Sequence, residues 1–393
     1  MTGPELRAGY IPLIDAVPLI IARDMGFAEE EGLRLVLEPA PSWSTLRDML
    51  VLGRIDAAHM LSPVPVAAAL GLGGLSARLD AVAVLSVNGN VVGVSPALAA
   101  RMRAAGYGFD FSDAHAAGHA LIAAATGPLR IGVPFPFSMH AELLYYWLGA
   151  LGLPAPQALD VRTVPPRLMA EALAAGEIDA FCVGEPWGSI AVEQGVGQLL
   201  LPGAAIWNFA PEKVLAMRHD FTREAPDRVA RLIRALWRAG RWLGSPGNRA
   251  MAAELLARPE NLDLSSDLLD RALAGRFIIS PTGEQRRRDG FVLFHDGAAG
   301  FPWRSAAAWI AHRLAARTGL DRAQAVAAAK PVFRTDLYRR ALDRVLADLP
   351  GASEKLEGAI AAPTEVASAS GTLILRPDRF FDGRVFDPSA LQR

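Results

Sequence analysis

The sequence predicts an α/β fold of two lobes that face each other across a cleft, and three observations predict it. The first is a duplicated pattern: "LRAGYIPLIDAVPLIIARDMG" and "LRIGVPFPFSMHAELLYYWLGALG" each read as a short strand, a proline-containing loop and an amphipathic helix closed by glycine. The second is that each unit is followed by another matching pair, "STLRDMLVLGRIDAAHM" and "RLMAEALAAGEIDAFCV". In both, a helix stops at glycine, and Ile-Asp-Ala opens an apolar strand. Repeated strand-helix units argue for two lobes built on mostly parallel sheets. The third is that the segments ending these strands, such as "PAPSWST", "SVNGNVV", "PFPFSMH" and "VGEPWGS", are rich in Pro, Gly, Ser and Trp. Rigid loops of this kind present backbone N–H groups at the carboxyl ends of strands, where open α/β sheets bind ligands.

The expected order is therefore first lobe, second lobe, and return. The crossings are placed near residues 100–125 and 205–222, giving a first lobe of residues 1–110 plus 215–393 and a second of 111–214. After Ala225 the pattern turns helical. "PDRVARLIRALWRAGRWLG" has apolar residues at helical spacing and Pro226 near its start, and "MAAELLARPENL", "SDLLDRALAGRF", "SAAAWIAHRLAAR" and "DLYRRALDRVLADL" continue it. This third of the chain is expected to wrap the first lobe.

Composition narrows the function classes. The chain has 393 residues with 40 basic and 41 acidic ones, so no overall field draws it to nucleic acid or an anionic membrane. The single cysteine, Cys182, excludes an internal disulfide framework and a cysteine-built zinc site. The opening residues lack the pattern of a secretory signal, and no apolar run reaches the length of a membrane span, so a cytoplasmic location is expected. There is no G-x-S-x-G, P-loop, H-E-x-x-H or G-x-G-x-x-G opening the first unit, and the seven histidines show no metal spacing. "GLGGLS" at residues 71–76 is only a weak loop signal. The expectation is a binding protein rather than an enzyme, without cofactor or metal.

Candidate ligand-binding residues fall at the strand ends. Trp43 follows Ser42 at a helix start, where it can wall a pocket or serve as a core tryptophan. His140 lies two residues after the N-cap candidate Ser138, either aimed at the cleft with free backbone N–H groups or satisfied structurally. His59 is similarly placed, but its apolar neighbours favour a core role. Asn88 and Asn90 flank Gly89, and a plain turn explains both, although one amide can reach a planar ligand. In "GEPW", Gly184 permits close approach of backbone to ligand, while Glu185 reads rather as holding the loop. Only three basic residues are lysines, Lys213, Lys330 and Lys355. Lys213 is the candidate charge, because a compact ammonium suits a small monovalent anion.

The segments "GYIPLIDAVPLIIARDMGFAEEEGL", "SWSTLRDMLVLGRIDAAHML", "VPPRLMAEALAAGEIDAFCVGEPW" and "PEKVLAMRHDF" resemble the nitrate- and bicarbonate-binding proteins of ABC importers over most of residues 6–222. The resemblance implies a type II periplasmic-binding-protein fold. It also implies a nitrate or nitrite pocket made by Trp43, Asn90, His140, Gly184 and Lys213. Asn90 stands where the nitrate branch has glutamine, and "SMH" replaces "STH". Bicarbonate-binding relatives are understood to use calcium, so Lys213 implies an anion held without metal. Within this family the chain is similar to the cytoplasmic NasS-type sensors, which hold an RNA-binding NasT-type antiterminator with an ANTAR domain inactive until the anion binds. That role implies no direct contact with nucleic acid or membrane. The alternatives are the substrate-binding component of a nitrate-type importer and an enzyme like the thiamin-pyrimidine synthesis relatives, whose cysteine-rich motif is absent.

Overall fold

The computed structural model describes residues 3–74, 77–369 and 371–390; Leu75 and Ser76 of the glycine-rich loop signal lie outside them. The duplicated pattern becomes two sheets. In the first, β1 (Glu5–Tyr10) lies between β2 (Arg34–Pro39) and β3 (Ala57–Leu61), parallel to both. In the second, β6 (Leu129–Val133) lies between β7 (Leu159–Thr163) and β8 (Ala180–Gly184), again all parallel. The repeated Ile-Asp-Ala turn has the same job in each lobe. Gly53 and Gly176 take φ of 74° and 68° to stop the helices, and the aspartate then clips the next strand onto the first. Asp56 N–H donates to Arg7 O at 2.9 Å and its Oδ2 accepts from Arg7 N–H at 2.9 Å. Asp179 repeats this with Arg130 at 2.8 and 3.3 Å.

Each parallel core is extended by antiparallel strands that the crossings supply. β10 (Pro211–Arg218) lies between β3 and β4 (Leu79–Asn88), antiparallel to both. In the other lobe β5 (Asn90–Val94) lies between β8 and β9 (Gln198–Pro202). The chain therefore changes sheets at Gly89 and returns between Pro202 and Pro211, earlier than the expected boundaries at 110 and 214. The reason is that β4 and β5 are separated by a single glycine: the turn expected at Asn88–Asn90 is the crossing itself. Asn88 (φ 60°) binds the two crossings together, its N–H donating to Ala210 O at 2.8 Å and its side chain bridging Asn208 O and Ala210 N–H at 2.8 and 3.0 Å.

The helical C-terminal third does pack on the first lobe, as helix Pro226–Leu243 does on the helices beside β1, but it also reaches the second. Helix Arg304–Thr318 runs beside helix Met139–Ala150, where Arg317 Nε donates to the buried Glu142 Oε1 at 2.8 Å and Arg317 Nη2 donates to Pro136 O at 3.1 Å. Phe380 stacks on Trp207 at the return crossing, and Asp382 accepts from Tyr146 Oη–H at 2.8 Å.

Candidate functional site

The two lobes meet through their strand-end loops. Glu185 O accepts from Ile14 N–H and Pro12 O from Trp187 Nε1–H, both at 3.0 Å, so "GEPW" of the second lobe is docked on "IPLID" of the first. Glu185 is fully buried, and its Oε2 accepts from Ser189 N–H at 3.3 Å. It holds the loop, as the sequence suggested, and burial pushes its carboxyl up to about 7.

All five candidate residues are fully or almost fully buried around this junction. Ser42 caps helix Trp43–Val51, its Oγ accepting from Thr45 N–H at 3.1 Å, and this sets the Trp43 ring 5.5 Å from Lys213 Nζ. Ser138 caps helix Met139–Ala150 in the same way, with Ala141 N–H at 3.2 Å, and places His140 in the first turn. Asn90 sits opposite Gly184 in the β5–β8 ladder. Because Glu185 N–H donates to Gly89 O, Asn90 and Gly184 form a non-hydrogen-bonded pair. The Gly184 N–H therefore points away from β5, towards the side where the pairing of β8 with β6 stops at Phe181. A Cβ on Gly184 would lie 3.2 Å from Leu13 and 3.9 Å from His140 Nε2, so its lack of a side chain is what lets the lobes come this close.

The structure adds three ionisable residues to this set: Asp15, His59 and Glu212. Lys213 Nζ donates to Glu212 Oε1 at 3.0 Å and lies 2.8 Å from Asp15 Oδ2. His59 Nε2 lies 2.9 Å from Asp15 Oδ1, His140 Nδ1 lies 3.2 Å from Glu212 Oε1, and Asn90 Nδ2 donates to Glu212 Oε2 at 2.7 Å. His59 is buried as expected, but it faces a carboxylate rather than filling apolar core. Asp15 carries no motif in the sequence that marks it as part of a site. Glu212 is adjacent to Lys213, and strict strand alternation puts neighbours on opposite faces. Here the register of β10 against β4 shifts on both sides of Lys213, and that irregularity lets both side chains reach one centre.

Electrostatics follow from burial and this pairing. Burial pulls the Lys213 ammonium down, but Asp15 and Glu212 outweigh it and hold it above its ordinary value. For Asp15, burial works upward, yet Lys213 and His59 keep the carboxyl well below the usual range. Glu212 is pushed up by burial to about 7, Lys213 offsetting only part. Burial holds His59 below, and His140 well below, the usual imidazole range, so both rings are neutral near pH 7. Trp43 Nε1 and His140 Nε2 are buried without a hydrogen-bond partner, and His140 Nδ1 meets Glu212 Oε1 at ion-pair distance, 3.2 Å, without hydrogen-bond alignment. Buried polar atoms are normally satisfied, so a buried ammonium beside unpartnered indole and imidazole nitrogens can donate to a small oxyanion. Asn90 contributes less directly: one N–H is spent on Glu212, and its oxygen packs where a Cβ on Gly203 would lie, 1.8 Å away. Among the described residues no group of three or more His, Cys, Asp or Glu is arranged to hold a metal ion, and no helix is long and apolar enough to cross a membrane.

Two lobes linked by paired crossings and meeting over buried polar groups give the chain the fold of the periplasmic binding proteins. Residues 2–257 match the NMT1-like family, and the chain belongs to it. It is 29% identical to the nitrate/nitrite binding protein NrtA of Synechocystis sp., over 98% of this chain and 83% of that one. The crystal structure of the periplasmic nitrate-binding protein NrtA from Synechocystis PCC 6803 superposes with a TM-score of 0.83 at 26% identity, covering 99% of this chain and 96% of that one. The chain is also 31% identical, over 79% of its length, to the nitrate import ATP-binding protein NrtC of Synechocystis sp., of which it spans about half (46%). By name these relatives are a nitrate/nitrite binding protein and a component of nitrate import.

Proposed function

We propose that this protein binds nitrate or nitrite between its lobes without a metal. The observation that carries the reading is the Lys213 ammonium, fully buried at the lobe junction beside the unpartnered nitrogens of Trp43 and His140. Lys213 supplies charge, Trp43 Nε1 and His140 supply donors, the Gly184 N–H completes the cage, and Asn90 fixes Glu212. Micromolar affinity corresponds to about 8 kcal/mol, within reach of a few desolvated charge-assisted hydrogen bonds.

The finer reading is a cytoplasmic sensor of nitrate assimilation that controls a NasT-type ANTAR antiterminator by ligand-dependent release. Its support is the likeness to half of a nitrate import ATP-binding protein. The second reading, substrate-binding component of an importer, is favoured by the near full-length likeness to periplasmic NrtA.

Isothermal titration with nitrate, nitrite and bicarbonate, with and without calcium, tests the ligand. Calcium-independent micromolar binding of nitrate or nitrite that vanishes in Lys213→Ala is expected, and silence toward both anions refutes it. A NasT-type protein that forms a complex only without the anion supports the sensor; no complex in either state leaves the importer reading.

A further inference from the structure

We infer that the site takes up its anion together with a proton, which is shared between the Glu212 carboxylate and the His140 imidazole. The inference rests on the reading that nitrate or nitrite binds here, and it begins with the charges. Glu212 is faced by Lys213 from its own strand, Asp15 from the loop after β1, Asn90 from β5, Cys182 from β8 and His140 from the helix that follows β6. His59, from β3, faces Asp15. Lys213 is the one cation in this group, against two carboxylates. With both ionised the cluster is already one negative charge in excess, and Lys213 has spent itself on both of them.

A monovalent anion added to that cluster leaves two uncompensated negative charges among residues that are all fully buried. Unpaired buried charge is among the costliest arrangements a protein can hold. One proton removes one of these charges, and the geometry provides its place. His140 Nδ1 lies 3.2 Å from Glu212 Oε1, the same oxygen that accepts from Lys213 Nζ. A proton there neutralises the carboxylate or charges the ring, and it frees Lys213 to turn a donor to the anion. His140 Nε2, on the far side of the ring, faces Gly184 and remains available as a donor. Burial acts in the same direction: Glu212 is pushed up to about 7, so above that pH the proton is absent until the anion brings it in.

Asp15 and Glu212 are then specificity devices. They set the charge of the site so that it is neutral enough for an anion only when a proton comes too. Binding should tighten as pH falls from 9 towards 7 and level off below, where Glu212 is already protonated.

The test is calorimetry of the full-length protein with potassium nitrate at pH 8, in buffers of different ionisation enthalpy, together with affinities at pH 6, 7, 8 and 9. Uptake of close to one proton per nitrate and about tenfold weaker binding per pH unit above 7 are expected. Glu212→Gln is expected to bind with an affinity that is flat from pH 7 to 9. Nitrate binding with no proton uptake and less than a twofold change between pH 7 and 9 overturns the inference and leaves the anion-binding reading intact. No binding of nitrate or nitrite at any pH overturns both. If the variant fails to fold, the wild-type proton count decides.

Discussion

Replacing Lys213 with methionine tests how the buried cluster is held together. The substitution keeps most of the side-chain volume and removes the one ammonium that lies within 3.0 Å of both Asp15 and Glu212. Breaking a buried ion pair by removing one partner costs about 3–5 kcal/mol, because the remaining charge is left uncompensated. With about 2.1 cal/mol/K of unfolding entropy per residue over 393 residues, that loss lowers Tm by about 4–6 °C. The sign with pH is fixed by the carboxylates. At pH 8 Glu212, near 7 in the wild type, is largely ionised, and the loss is full. At pH 5 it carries a proton in either protein, and the deficit shrinks. The assay is thermal unfolding followed by circular dichroism without added anion, at pH 5, 6.5 and 8. A variant as stable as wild type at pH 8, or a deficit that does not change with pH, refutes the electrostatic account of the centre.

Three further perturbations have defined outcomes. Glu185 has its carboxyl raised from 4.5 to about 7 by burial, so its contribution is present below pH 4.5 and lost as pH rises through 7; Glu185→Gln is expected to recover about 3 kcal/mol at pH 8.5 and to match wild type near pH 4, read as Tm. Gly203→Ala puts a Cβ 1.8 Å from Asn90 Oδ1, and is expected to displace Asn90 from Glu212, weaken anion binding in titration, and cost about 1–3 kcal/mol of stability from overpacking. Arg317→Ala leaves Glu142 buried without its partner; a Tm deficit at pH 8 that narrows by pH 5 is expected, since burial already raises that carboxyl and Arg317 opposes the rise.

Local chemistry carried much of the sequence reading. Ser42 and Ser138 are helix caps because a hydroxyl at that position meets the third N–H of the helix wherever it sits in the fold. The Gly-x-Ile-Asp-Ala turn was legible twice because both its parts, a left-handed glycine and an aspartate that clips two strands, act within one unit. Trp43, His140, Gly184 and Lys213 could be named from where strands end. Asn90 could be named too, but the sequence does not say that its amide would be engaged by Glu212.

What the sequence by itself determined was therefore the two-lobed α/β class, the caps and turns that aim residues at the cleft, and the scarce lysine at its centre. Only the tertiary structure decided the point of crossing at Gly89, because that depends on which sheet each of two adjoining strands joins. Only it brought Asp15, His59 and Glu212 to Lys213, from a loop, a strand of the first lobe and an irregular strand separated by up to 198 positions. Periodicity assigns neighbours on a strand to opposite faces; a shift of register, set by pairing with a distant strand, is what placed Glu212 and Lys213 on the same one.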